Sequence, residues 1–160
     1  MLRMSKLADY GTVVMTSMAR APSRIQSAAD VALATGLALP TVSKLLKALA
    51  RSGLLTSHRG AKGGYLLVRA PSEISLAQVI AAIEGPIGMT ECSGAPGLCT
   101  QEFGCSVRAN WQSINHVVMR ALQQISLEQM THPLDARLSA INMIPAQSRT
   151  AAARPGRVQA

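Results

Sequence analysis

All three cysteines of the chain fall in one stretch, Glu91–Arg108, ECSGAPGLCTQEFGCSVR, as Cys92, Cys99 and Cys105 with six and five residues between them. Thiolates are soft ligands and strong nucleophiles, so three in one loop point either to metal chemistry or to a disulfide. Gly94, Pro96, Gly97 and Gly104 around them favour turns over helix or strand. Only Leu98 and Phe103 offer much apolar surface there. Ordering such a loop costs ~1–2 kcal/mol per residue in backbone entropy, so something other than an apolar core must hold it.

Three readings compete. A disulfide leaves one thiol over, and nothing marks the chain as secreted. Structural zinc usually pairs its ligands as Cys-x2–4-Cys, a spacing absent here. The wider spacings suit a larger object such as an iron–sulfur cluster, but three cysteines fall one short of the usual four ligands. A fourth must then come from elsewhere in the chain or from a partner subunit. Spacing alone leaves the three readings open, and the elements around the loop must decide.

The chain has 160 residues, enough for one domain with an appended element. Aromatics are only 2%, so the core must be built from Ala, Leu, Val, Ile and Met. A net charge of +8 points to a polyanionic partner, nucleic acid before membrane. Four arginines (137, 149, 154 and 157) lie near the end, leaving twelve basic residues in 1–131 against seven acidic ones. No 18-residue apolar run exists to make a spanning helix, and Asp9 interrupts the N-terminus before any signal-like stretch. A reducing, cytoplasmic setting is expected. There is no phosphate loop, no pair of catalytic carboxylates and no nucleophile with a placed base. His58, His116 and His132 are scattered, so an enzyme is not expected.

Ser5 can cap a first helix running to about Arg20, and Pro22 stops it. Ser27, with Asp30 three places on, opens a short helix ending at Gly36. Pro40 sits in the first turn of the next, PTVSKLLKALARSG, with Val42, Leu45, Leu46 and Leu49 facing inward. Helix, short glycine turn, then helix with a polar and basic outer face is the helix-turn-helix pattern. Pro40, Thr41, Ser43 and Lys44 would face base edges, and Lys47 a phosphate. Two β-type runs follow, Leu54–His58 and Gly64–Val68, joined by a basic, glycine-rich tip carrying Arg59 and Lys62. This is a wing, whose cations can reach phosphates or a narrow minor groove. Ser75 and Gln78 form a capping box for SLAQVIAAIEG. After the cysteine loop, Ser106 can cap a helix from Val107 to about Met130, roughly 36 Å long. Trp111, Ile114, Val118, Leu122 and Ile125 make a narrow stripe along it, suited to a copy of itself across a two-fold axis.

The expected class is therefore mainly α: a winged helix-turn-helix domain over 1–85, a cysteine loop over 86–106 and a dimerisation helix over 107–131. A flexible basic tail over 132–160 is expected to follow.

With these residues in view, the chain resembles the winged-helix iron–sulfur transcription regulators typified by IscR and the nitric-oxide sensor NsrR. The resemblance covers about 1–131 and rests on SKLADYG, the wing HRGAKGGYLL, the helix SLAQVIAAIEG, the three-cysteine loop and RANW. The opening MLRMSKLADYGTVVM looks most like the branch regulating SUF-type iron–sulfur assembly genes. It implies a homodimer that binds double-stranded DNA, with Cys92, Cys99 and Cys105 as ligands of an iron–sulfur cluster, 2Fe–2S before 4Fe–4S. Where the IscR branch has a histidine ligand, this chain has Arg108, which stays protonated and cannot ligate. Asp9 matches the acidic position of the nitric-oxide-sensing branch and is the implied fourth ligand. Glu91, Glu102 and His116 are the other candidates. The expected function is a cluster-gated repressor. The alternatives are an iron–sulfur scaffold or electron-transfer protein, which leaves the wing without a task, or a zinc-stabilised winged-helix regulator.

Overall fold

A computed structural model describes residues 4–60, 62–94, 97, 99, 100 and 104–132, the Cys92 side chain apart. The tail expected over 132–160 lies, from 133 on, outside the described residues, as do Pro96, Leu98, Glu102 and Phe103. The order is α1 (Lys6–Ala19), α2 (Ala28–Thr35), α3 (Leu39–Arg51), β1 (Leu55–His58), β2 (Gly64–Leu67), a 3-10 turn (Pro71–Glu73), α4 (Leu76–Glu84), α5 (Glu91–Gly94), α6 (Arg108–Gln124) and α7 (Leu127–Met130). This is the expected mainly helical winged-helix class, with a two-stranded antiparallel sheet among the described residues.

The helix starts follow their caps. Ser5 Oγ accepts from the Ala8 amide, and the boxes Ser27–Asp30 and Ser75–Gln78 both close reciprocally. The Ser27 amide and hydroxyl hold the Asp30 carboxyl below its ordinary range. Gly36, left-handed at φ 69°, ends α2, and the chain bends by 118° into α3. Val42, Leu45, Leu46 and Leu49 are buried as expected, joining Val14, Met15, Met18, Val31, Ile74 and Val79 in one core. Among the described residues no aromatic side chain is fully buried in that core.

The hairpin pairs Leu55 with Leu67 and His58 with Gly64. Its root is tied back into the domain. Gln26 and Tyr65 exchange two backbone hydrogen bonds, at 3.0 and 2.8 Å. Gly64 makes this approach possible, because a β-carbon there would lie 2.5 Å from the Gln26 carbonyl oxygen. Gly64→Ala is expected to cost about 2–3 kcal/mol by forcing strand and linker apart and orphaning those backbone groups. A urea midpoint indistinguishable from wild type would rule this out.

Two expectations are corrected. The helix read as continuous from Val107 to Met130 is two helices, broken at Ile125, whose backbone is extended (φ −89°, ψ 113°). Ser126 caps α7 with Gln129 as its reciprocal partner, a start signal strong enough to end α6 before it. The break returns the chain to the domain. The Leu76 amide donates to Ile125 O at 2.8 Å, the Leu127 amide donates to Ile74 O at 2.7 Å, and Leu127 is 0% exposed. Nor does Ser106 cap α6: the N-cap is Val107, without a side-chain hydrogen bond.

Candidate functional site

The surface expected to face DNA lies at the start of α3 and along the hairpin. The N-cap of α3 is Ala38, with no side-chain cap, and Pro40 lies in the first turn. Pro40, Lys44 and Lys47 are exposed, while Thr41 and Ser43 are half-buried at the helix edge. Arg59 and Lys62 are both exposed at the tip of the hairpin. Between α3 and the hairpin a cavity of about 290 Å³ is lined by Lys47, Ala50, Arg51, Ser57 and Tyr65. Ser57 and Tyr65 face each other across the hairpin, so their hydroxyls share one strand face. Two cations one turn apart beside two hydroxyls make a surface able to seat a phosphodiester. Arg51, Ser57 and Tyr65 did not emerge as site residues from the sequence. The period-two alternation of the hairpin was the signal that could have found the last two.

The cysteine loop leaves the end of α4 and re-enters at α6. α5, which carries Cys92 and Glu91, packs on α6, as does α4. Thr90 and Ser93 close its single turn: the Thr90 amide donates to Ser93 Oγ at 3.0 Å. Cys99 and Cys105 are half-buried free thiols. Glu91 and His116 are exposed. Asp9, exposed in the first turn of α1, lines a separate cavity of about 380 Å³ with Thr12, Val13, Thr16, Arg20 and Met130. Among the described residues no cysteine lines that cavity. Among the described residues no three His, Cys, Asp or Glu side chains converge.

The apolar stripe of α6 is placed with a shifted phase. Ile114 is 44% exposed, with Val107 at 46% and Val117 at 36% beside it. Trp111 and Val118 are half-buried. Leu122 and Ile125 pack with Ile87 and Met130 on Ala8, Leu76 and Ile80 of their own domain. Ile125 thus leaves the helix altogether, and the exposed face runs through Val107, Ile114 and Val117. The one buried residue of α6 is Asn115, which sequence reading missed.

A recognition helix, a basic wing and a separate helical face define a winged-helix DNA-binding transcription regulator. Residues 4–133 match the profile of the Rrf2 family, described as iron-dependent transcriptional regulators, and the chain belongs to that family. It is 31% identical over 131 residues to the HTH-type transcriptional regulator IscR of Photorhabdus laumondii, covering 79% of each chain. The solved structure of CymR, the global cysteine regulator of B. subtilis, superposes with a TM-score of 0.65 at 28% identity, over 82% of this chain and 97% of that one. T. potens IscR does so with a TM-score of 0.62 at 26% identity, over 81% and 85%. These relatives are transcription regulators, not enzymes. Among the described residues no single helix is long and apolar enough to cross a membrane.

Proposed function

We propose that the protein is a cytoplasmic, homodimeric repressor whose binding to operator DNA is gated by an iron–sulfur cluster, acting on SUF-type iron–sulfur assembly genes. The observation that carries this reading is the position of the cysteine loop. It is the covalent link between α4, which packs against the helix-turn-helix core, and α6, whose exposed apolar face suits a second copy. The donor set fits such a group: Cys99 and Cys105 are unpaired soft ligands, on a loop with little apolar surface of its own. A bound cluster would supply a centre sensitive to oxidants and to cluster loss. Cys92, Cys99 and Cys105 would hold it by their thiolates, and Asp9 would complete the set, delivered by α1 across a domain-crossed dimer.

The rest follows from the chain's own residues. Ordering of the loop would set the angle of α6 against α4, and so the separation of the two recognition helices on half-sites about one turn apart. Pro40, Thr41, Ser43 and Lys44 would read base edges, while Lys47, Arg59 and Lys62 hold the backbone. Lys47→Ala is expected to weaken binding to every sequence alike and to reduce the slope of log affinity on log salt by about one unit. An unchanged slope would remove Lys47 from the interface.

The test is anaerobic purification with metal and sulfide analysis, followed by operator binding before and after cluster removal. Equal iron and sulfide with a change in operator affinity on removal supports the proposal. Stoichiometric zinc and no colour after reconstitution with iron and sulfide overturns it in favour of a zinc-stabilised regulator. A cluster whose removal leaves DNA binding unchanged overturns it in favour of a scaffold or electron carrier.

A further inference from the structure

On a 17-residue helix carrying several Val, Ile, Leu and Met side chains, the one buried residue is polar: Asn115, 9% exposed. Burying an amide is costly unless it is hydrogen-bonded, and this one is bonded on both sides. Its Nδ2 donates to Ile87 O at 3.2 Å and to Ser93 O at 3.1 Å, while its Oδ1 accepts from the Met89 amide at 3.2 Å. All three partners are backbone groups of 87–93, the segment that runs from the end of α4 into α5 and contains Cys92. A single side chain therefore does for this segment what a strand partner does for a strand. At one end Ile87 packs on the Ala8, Leu76 and Ile80 cluster. At the other, Ser93 closes the turn of α5 next to Cys92.

From this we infer that Asn115 is a positioning residue: it fastens the start of the cysteine loop to α6, so that segment 87–93 and the helix move as one body. An apolar residue at 115 would fill the space but leave two carbonyls and one amide of the segment without partners. The regulatory consequence rests on the function proposed above. A change at the cysteines would reach α6 through this amide, and a variant lacking it would still bind DNA but respond less to the state of the loop.

The test is amide hydrogen exchange on the full-length stripped protein, comparing wild type with Asn115→Leu and Asn115→Asp. Aspartate keeps the acceptor for Met89 and loses both donations. In both variants the amides of 87–93 should exchange at least tenfold faster, with those of Val14, Leu46 and Val79 unchanged. Alkylation of Cys99 and Cys105 by N-ethylmaleimide should rise severalfold. Unchanged exchange over 87–93 overturns the inference. So does an equal acceleration across α1–α4, because Asn115 would then merely support the fold. A parallel arm measures operator affinity of protein loaded with iron and sulfide against stripped protein, and the ratio should fall at least threefold in both variants. If wild type itself shows no ratio, the sensing function fails, while the exchange measurement still decides the role of Asn115.

Discussion

Leu127→Ala is expected to lower the unfolding free energy by about 3 kcal/mol, within the range for a fully enclosed leucine. The size of the effect is at odds with the element that carries the residue. α7 is four residues long, far too short to be stable alone, and of its sequence LEQM only Leu127 is fully buried. That side chain is 0% exposed in the main core, and its own amide donates to Ile74 O. Removing its methyls leaves a cavity that rigid neighbours fill only in part. Ile114→Ala, on a side chain 44% exposed, should cost well under 1 kcal/mol in the monomer. Urea titration at constant m-value separates the two. Equal shifts for Leu127 and Ile114 would show that α7 is not docked in solution.

The second large effect concerns the thiols. In Cys99→Ser/Cys105→Ser, iron and sulfide recovered with the anaerobically purified protein are expected to fall below about a tenth of wild type, because a hydroxyl is a harder and far more weakly acidic ligand than a thiol. The winged-helix core should hardly notice. Both cysteines lie outside its clusters, and such substitutions usually change stability by less than about 0.5 kcal/mol. The informative pattern is therefore loss of metal with a melting transition that matches metal-free wild type. Retention of full iron and sulfide would exclude these two residues as ligands, whatever the DNA-binding behaviour.

The DNA-binding half was legible because its signals are local. Ser27 with Asp30, Gly36, Pro40 and the inward leucines of α3 act within one or two turns, and each was found where the sequence put it. The same kind of signal was overlooked at Ser126 with Gln129, because the apolar spacing ran unbroken up to Ile125 and the helix was carried on to Met130. Periodicity rewarded a continuous helix where a cap and two backbone bonds to Ile74 and Leu76 impose a break. Asn115 and Gln26 were illegible for a different reason. Hydropathy assigns an amide to the surface, and what holds these two inside are backbone partners that no apolar spacing marks, carbonyls five and eight residues back for Gln26. The groups bonded by Asn115 lie 22 to 28 residues away.

Gln26 bears on how such a protein could be regulated at all. Its side chain donates to Met18 O and Ala21 O, while its backbone bonds Tyr65 at the foot of the wing. The hairpin is thereby riveted to the joint between α1 and α2, the helix that precedes the recognition helix. Wing and recognition helix form a single printing block, whose two raised features keep a constant mutual distance. No signal that leaves this block intact can adjust how one half-site is gripped. In the dimer proposed above, control would work on the gauge between two such blocks, as track width rather than wheel shape. A variant that loosens Gln26 would blur the imprint at each half-site without moving the preferred spacing between them.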